Sequence, residues 1–232
     1  MKKMIALLLA AMMVLSMAAC ASKTAAAADS DLAYIQDKGT LVIGITDFEP
    51  MDYKDENGEW TGFDTEFAEA VSEKLGVAPE FTVIDWNTKE VELKAKNIDC
   101  IWNGFTIRED LKESIDFSNA YCKNMQVAVI KAENSGKYTD LASLAKANIV
   151  AEAGSSGESA VADCEELKEC NYVGVSKMAD ALLEVKAGTA DAAVVDYVMA
   201  KAMVGEGTDY SDLQIVDGIE LAYCLLYTSP SP

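Results

Sequence analysis

The one arginine of this 232-residue chain lies in the stretch NGFTIREDLKESIDFS, residues 103–118. A guanidinium is a planar fork of donors that can hold a carboxylate through two hydrogen bonds, which lysine cannot reproduce. Thr106 and Glu109 have the spacing of a capping box, so the stretch is predicted to be a strand end that turns into a helix. A helix N-terminus disfavours cations. Arg108 is therefore either a residue that binds an anionic group or a solvated surface residue, and the stretch leaves both open.

The composition argues against several kinds of chemistry. The chain has no histidine, the commonest general base and the commonest metal ligand. Its 39 acidic and 19 basic residues give a net charge of −20, which disfavours nucleic acid, because binding there depends on Lys and Arg. Beyond Cys20, the cysteines have no metal-site spacing. Cys164 and Cys170 could pair after export, and buried free thiols are the alternative. We therefore expect no metal, no cofactor and no enzymatic activity.

The amino terminus has the pattern of a targeting segment. Lys2 and Lys3 precede the apolar run MIALLLAAMMVLSMAA, which ends directly before Cys20 and is short for a bilayer-spanning helix. The run resembles a bacterial lipobox, which predicts a lipoprotein signal peptide over residues 1–19 and a lipidated tether over 20–31. An ordinary secretory signal is the alternative. Two acyl chains would hold the protein at the outer face of the cell membrane.

From residue 41 onward, short apolar runs alternate with amphipathic segments. LVIGIT (41–46) is predicted to be a buried strand. NIVAE (148–152), NYVGV (171–175) and AAVVD (192–196) are predicted to be strands as well. Between them lie helical patterns, one capped by Asp64 with Phe67 on its apolar face and Gly76 past its end. Strands that alternate with helices predict an α/β fold with parallel sheets.

Four motifs give the chain from about residue 41 to 223 a specific resemblance. They are LVIGITDFEPMDYKDENGEWTGFDTEFAEAVSEKLG, IDCIWNGFTIREDLKESIDFSNAY, VAEAGSSGES and GTADAAVVDYVMA. In this order they resemble the polar amino-acid solute-binding proteins of ABC importers. The resemblance implies the two-lobe periplasmic-binding-protein fold of type II, with one ligand held between lobes that are joined by two hinge strands.

The predicted partition follows from that fold and from the terminal segments. Lobe 1 covers residues 32–126, the hinge 127–131, lobe 2 residues 132–216, and the second hinge crossing 217–223. The family continues beyond this point, whereas here the chain ends in CLLYTSPSP. These residues, 224–232, can be encoded by a common library adaptor. We therefore expect a non-native tail on a C-terminally truncated protein.

The resemblance also implies roles for three side chains that could hold a zwitterion. Phe48 and Trp86 match aromatic positions of the family that sandwich a ligand side chain, which suits planar or cationic groups. Asp196 matches the aspartate that accepts the α-ammonium group. Core or hinge packing is the alternative for each aromatic residue, and a helix cap is the alternative for Asp196.

The ligand's carboxylate is expected on the opposite side. Gly104 matches a position whose backbone approaches the ligand, and Thr106 one whose backbone and hydroxyl meet the carboxylate. Ser156 and Gly157 match a helix N-terminus, where free N–H groups attract anions.

One position departs from the family pattern. The family's carboxylate-binding arginine falls where this chain has Leu111, and Arg108 lies one turn earlier. Positions three apart share a helix face, so Arg108 is predicted to bind the same carboxylate from a backbone position one turn earlier.

The function predicted from these residues is capture of a polar amino acid outside the cytoplasm and its delivery to an ABC permease. We expect a monomer with a lipid anchor and no nucleic-acid partner. Two alternatives remain open: a ligand-sensing lipoprotein that signals to a membrane receptor, and a dehydratase on the same fold.

Overall fold

The computed structural model describes residues 30–230, divided along the chain into two units, one ending at Lys38 and the other beginning at Gly39. In the first unit, the Ser30 hydroxyl accepts a hydrogen bond from the Ala33 backbone N–H at 3.1 Å, at the start of helix α1 (Asp31–Lys38). The predicted signal peptide, Cys20 and the tether up to residue 29 lie outside the described residues, as do residues 231 and 232.

The second unit contains ten strands and six helices within the described residues. The strands are β1 (Thr40–Ile45), β2 (Tyr53–Lys54), β3 (Trp60–Thr61), β4 (Ala78–Val83), β5 (Cys100–Thr106), β6 (Cys122–Lys131), β7 (Asn148–Glu152), β8 (Asn171–Val175), β9 (Ala192–Asp196) and β10 (Leu213–Pro230). The helices are α2 (Phe63–Leu75), α3 (Lys89–Lys94), α4 (Leu141–Leu144), α5 (Ser156–Asp163), α6 (Met178–Ala187) and α7 (Tyr197–Met203).

Eight of these strands form one sheet in the order β4-β1-β5-β10-β6-β9-β7-β8. We call β4, β1 and β5 the amino half and β9, β7 and β8 the carboxy half; pairing within each half is parallel. The long strands β10 and β6 lie between the halves and pair antiparallel with each other and with their outer neighbours. The parallel pairing confirms the predicted α/β class. It also brings the carboxyl ends of neighbouring strands to one edge, where α/β proteins bind ligands.

Each half has its own apolar core. Ile98, Ile101 and Phe105 belong to the core of the amino half, and Leu144 and Ile149 to a core of the carboxy half. A third cluster is shared, because Phe48 and Met51 from the amino half are in the same cluster as Met178 and Val195 from the carboxy half. The loop after β1 therefore packs toward the carboxy half. That packing forms one wall of the cleft described below.

Helix α2 differs from its prediction at its start. Gly62, not Asp64, is the N-cap. The buried residues of the helix are Asp64, Thr65, Ala68 and Ser72, whereas Phe67 is 39% exposed. The reason is a long-range contact: the buried Asp64 carboxylate accepts hydrogen bonds from the Gly104 N–H at 2.8 Å and the Tyr121 hydroxyl at 2.9 Å. The end of the helix is as predicted. Gly76 has φ 75°, a left-handed conformation that favours glycine.

The capping box predicted at Thr106 and Glu109 is wrong. Thr106 is the last residue of β5, and only a single 3-10 turn, Glu109–Leu111, follows it. Arg108 occupies the N-cap position of that turn, without a side-chain capping bond. The chain leaves the sheet in an extended conformation, so Arg108 is not on a helix.

Within residues 30–230, no helix has both the length and the apolar character needed to cross a membrane. Across the same residues, no group of three or more acidic or cysteine side chains could hold a metal ion. Among the described side chains, Cys100, Cys122, Cys164 and Cys170 form no disulfide, and Cys100 is the one that is fully buried.

Candidate ligand-binding cleft

A cleft lies between the two halves of the sheet, at the carboxyl ends of β1, β5, β7 and β9. Both halves contribute to its lining. The lining residues are Thr46, Phe48, Trp86, Lys89, Asn103, Gly104, Phe105, Thr106, Arg108, Leu111, Glu152, Gly154, Ser155, Ser156, Met178 and Asp196.

Seven of the eight residues predicted to bind the ligand line this cleft. They are Phe48, Trp86, Gly104, Thr106, Arg108, Ser156 and Asp196. Gly157, the eighth, is buried beside the cleft without lining it. A Cβ atom there would lie 2.8 Å from the Val194 carbonyl oxygen, so glycine allows helix α5 to start directly against β9. These positions come together, and their individual roles remain predictions.

Asp196 is the best-defined polar group on the floor of the cleft. It ends β9 and is 5% exposed. Its Oδ1 accepts hydrogen bonds from the side-chain amides of Asn124, at 2.5 Å, and Gln126. Burial raises the pKa of Asp196 to about 6, although both amide bonds favour its ionised form. At neutral pH the cleft therefore holds a buried carboxylate whose described partners are uncharged amides.

The two predicted aromatic residues form part of the walls. Phe48 is 2% exposed and Trp86 is 7% exposed. Trp86 packs edge-on against Phe105, with ring centroids 5.4 Å apart, and the Lys89 ammonium lies 5.0 Å from the Trp86 ring centroid. One side of the Trp86 ring thus already meets a cation. The proposed sandwich of a ligand group between Phe48 and Trp86 remains a prediction.

Lys89 links the two sides of the cleft and had no predicted role. It is 5% exposed. Its Nζ donates to the carbonyl oxygens of Trp86, at 3.1 Å, and Gly154, at 2.9 Å. Burial lowers the pKa of Lys89, and the nearby carboxylates of Glu90 and Glu152 oppose that shift. Nothing local in the sequence marks it, because its burial depends on a carbonyl 65 residues away.

Glu152 is a second buried carboxylate, also without a predicted role. It ends β7 and is 3% exposed. Its Oε1 has no hydrogen-bond partner among the described residues. Burial and the neighbouring charge of Asp196 raise its pKa to about 8, whereas Lys89 and a backbone hydrogen bond at Met178 act in the opposite direction. An acidic residue at the end of the predicted strand NIVAE was the available sequence signal.

Helix α5 starts at the cleft, as its predicted anion-binding role requires. Ser155 is the N-cap, and its hydroxyl oxygen accepts a hydrogen bond from the Glu158 N–H at 3.2 Å. The Glu158 carboxylate accepts a hydrogen bond from the Gly154 N–H at 2.7 Å. The turn before the helix is therefore stabilised by two hydrogen bonds, one accepted by the Ser155 hydroxyl and one by the Glu158 carboxylate. Ser156, the first helical residue, remains in the cleft lining.

On the amino half, the end of β5 is fixed by buried polar contacts. Asn103 accepts a hydrogen bond from the Thr46 N–H at 2.6 Å and donates to the Thr46 hydroxyl at 2.8 Å. Gly104 has φ 59°, a conformation that few side chains adopt, and its N–H is held by Asp64. The backbone beside Thr106 is thus fixed before any ligand arrives.

Arg108 lies at the rim, with its guanidinium already engaged. Its side chain is 34% exposed, and two of its nitrogens donate to Asp110, the shorter contact being 2.6 Å. Nη1 also donates to the Ser159 hydroxyl at 3.0 Å, so Arg108 connects β5 to helix α5 across the cleft. Leu111 is 6% exposed and belongs to the core of the amino half. No charge can be supplied from that position.

Comparison with known proteins identifies a family that this chain matches. Residues 41–201 match the bacterial extracellular solute-binding proteins, family 3. The chain is 26% identical over 218 residues to the arginine-binding extracellular protein ArtP of Bacillus subtilis, which covers 94% of this chain and 82% of that protein. It is 28% identical over 223 residues to the ABC transporter glutamine-binding protein GlnH of Bacillus subtilis, covering 90% and 80%.

A solved structure is similar to this chain in fold as well as in sequence. A P235GK mutant of ArgBP from T. maritima superposes with a TM-score of 0.79 at 29% identity, covering 87% of this chain and 86% of the other. With a matching family model over most of its length, the chain belongs to the bacterial extracellular solute-binding proteins, family 3, and has their mixed α/β two-lobe fold.

Proposed function

We propose that this protein is the binding component of an amino-acid ABC importer, which captures a polar amino acid in the cleft and delivers it to the permease. The observation that carries the proposal is Asp196, a buried carboxylate at the bottom of a cleft formed by both halves. The family of this chain and its relatives support an amino-acid-binding function, since ArtP is named for binding arginine and GlnH for binding glutamine in an ABC transporter.

The α-ammonium group of the ligand would meet Asp196. A buried charge is costly unless it is paired. Asp196 has the two amides of Asn124 and Gln126 as described partners and no bonded cation among the described residues. An ammonium group supplies the missing charge and additional donors.

The carboxylate of the ligand would lie between Thr106 and the start of α5. Thr106 is 9% exposed, and both it and Ser156 line the cleft. Helix N-termini attract anions because their first N–H groups lack helical partners. Gly157 would contribute its backbone to this turn without lining the cleft. Arg108 would reach the carboxylate only if it released Asp110, and otherwise it acts at the rim through its hydrogen bond to Ser159.

The lobes of the proposed importer component follow the two halves of the sheet. We assign lobe 1 to residues 32–126 and lobe 2 to 132–216. The chain would cross at 127–131, within β6, and at 217–223, within β10. Both strands run between the halves, so their bending would let the lobes open and close.

The protein belongs to an extracellular family, and we propose that it is held at the cell membrane by a lipid on Cys20. Two acyl chains give stable attachment without a spanning helix. A binding protein of this kind works as a monomer, because one chain supplies both walls of the cleft.

The test is a ligand panel on the exported, processed protein. Thermal unfolding is followed with each of the twenty amino acids and with cystine at millimolar concentration. A micromolar ligand should add about 4 kcal/mol of stability by mass action. The Asp196→Asn variant should lose most of that gain, whereas exposed Asp209→Asn, in the same half, should keep it. If no compound stabilises the wild-type protein, the proposed function is wrong.

A further inference from the structure

Glu152 is a buried acid in the cleft that the binding of a simple zwitterion does not use. Asp196 serves the α-ammonium, and the α-carboxylate is repelled by any second acid. Yet Glu152 is 97% shielded from solvent, with 3% exposure, and its Oε1 has no described partner. Leaving a buried acceptor unpaired is expensive. The position therefore favours a ligand that brings a donor to this oxygen.

The charges around Glu152 indicate what kind of donor is missing. The buried ionisable groups that line the cleft are Lys89, Glu152 and Asp196, which together carry one excess negative charge when ionised. Arg108 does not correct this imbalance, because Asp110 pairs with it at the rim. A ligand of net charge zero leaves that excess in place, or leaves Glu152 protonated below its raised pKa of about 8. A ligand of net charge plus one balances the three ionised groups.

Lys89 does not satisfy Glu152 by itself. Its ammonium interacts electrostatically with Glu152, but its hydrogen bonds go to the carbonyl oxygens of Trp86 and Gly154. Lys89 is therefore committed to joining the two sides of the cleft. The free oxygen of Glu152 remains available to a ligand.

We propose that Glu152 is the specificity-determining residue of this cleft and selects amino acids whose side chain carries a positive charge, a guanidinium or an ammonium. The inference rests on the proposed function, since it assigns the second charge of the same ligand. It does not follow from likeness alone, because the relatives include proteins named for arginine and for glutamine. Trp86 and Phe48 line the same cleft as Glu152, and aromatic rings suit a planar cation.

The sharpest probe is the pair arginine and citrulline, which have nearly the same shape and differ in side-chain charge. Titration calorimetry on the full processed protein should give at least about tenfold tighter binding of arginine, since hydrogen bonds between charged groups are the strong ones. In Glu152→Gln the arginine preference should fall to within about threefold. Exposed Glu169→Gln, in the same half, should retain the wild-type ratio.

A second measurement needs no variant of Glu152. The charged groups that act on its pKa are Asp196, Lys89 and Asp85. Because that pKa is raised, a bound cation must displace the proton of Glu152. Arginine binding near pH 7 should therefore release a proton, seen as a binding enthalpy that depends on the ionisation enthalpy of the buffer. The affinity of the protein for arginine should rise at least about tenfold from pH 6 to pH 8. Citrulline should do neither.

The outcomes separate this inference from the proposed function. If the protein binds citrulline or glutamine as tightly as arginine, or if Glu152→Gln keeps the arginine preference, the role of Glu152 is refuted while the proposed function stands. If arginine binds without proton release at both pH values, the charge argument fails even where the variant misfolds. If no amino acid binds, both proposals are refuted together.

Discussion

Arg108 can act on ligand binding in two ways, and a double-mutant cycle with Ser159 distinguishes them. In the first, its guanidinium holds the ligand carboxylate, as the sequence predicts. In the second, it joins the two sides of the cleft through its 3.0 Å hydrogen bond to the Ser159 hydroxyl. Because the Nε and Nη2 edge of the guanidinium already donates to Asp110, the structure favours the second. We therefore expect Arg108→Ala to weaken binding by destabilising the closed cleft.

The size of the effect follows from exposure. A hydrogen bond to a charged group contributes about 1.5–3 kcal/mol when both partners are buried. Arg108 is 34% exposed, and screening at such a site reduces the contribution to about 1 kcal/mol. That corresponds to roughly fivefold weaker binding. A ligand clamp would cost the full amount, roughly tenfold to a hundredfold or more.

The assay is isothermal titration of the best ligand against the wild-type protein, Arg108→Ala, Ser159→Ala and the double variant. If Arg108 acts through Ser159, each single variant should lose about fivefold, and the double variant should lose no more than either one. Arg108→Lys should recover part of the loss, because an ammonium can still reach the hydroxyl. Lys112→Ala, on the same exposed loop, serves as the control and should bind like the wild type.

One result would refute this reasoning. Ser159→Ala binding like the wild type, while Arg108→Ala loses more than about thirtyfold, would mean that the guanidinium contacts the ligand itself. The ligand clamp predicted from the sequence would then be correct, and the Asp110 contact would have to break when the ligand binds.

Two further predictions concern the rest of the chain. Burial, together with the charge of Asp64, raises the pKa of Asp52 to about 8. The folded state therefore binds its proton more tightly than the unfolded state, and unfolding free energy should fall by a few kcal/mol as the pH rises from 4 to 8. Asp52→Asn should flatten that slope in urea titrations; an unchanged slope contradicts the assignment. Cys20→Ser should move the protein from the membrane to the soluble fraction, and retention after a high-salt wash would exclude the lipid anchor.

The strands of the carboxy half were predictable from local sequence. NIVAE, NYVGV and AAVVD were predicted over the same residues that form β7, β8 and β9. All three are short, contain two β-branched residues each and are separated by helical patterns. β7 and β9 are mostly buried, whereas β8 is an edge strand with Val173 53% exposed, so local preference alone predicts it. In such segments the apolar run itself defines the strand.

The errors occurred where long-range hydrogen bonds override local preference. Asp64 looked like a helix cap, but its carboxylate holds the N–H of Gly104, 40 residues away. The Thr106–Glu109 spacing looked like a capping box, but Thr106 completes a fully buried strand. In both cases the local pattern was real, and a buried partner far along the chain used the same side chain or backbone differently.

The candidate site was predictable in its position more than in its charge. The motifs led to seven residues that line one cleft, because parallel strands bring their carboxyl ends together. Lys89 and Glu152 were missed for different reasons. Lys89 is buried by carbonyls from two separate segments, which no local pattern reveals. Glu152 lay inside a quoted motif, but only the serine and glycine after it had an expected role.

Leu111 and Glu152 both make the cleft more negative than it would be with an arginine at position 111 and a neutral residue at position 152. An arginine at position 111 would add a positive charge, whereas the leucine found there is buried in the apolar core. The acid at position 152 adds a negative charge on the opposite wall. A ligand matched to both changes must rely less on a cation for its carboxylate and must bring more positive charge of its own. Thr106 and the start of α5 can hold a carboxylate with neutral donors, so the charge distribution of the cleft fits a cationic amino acid.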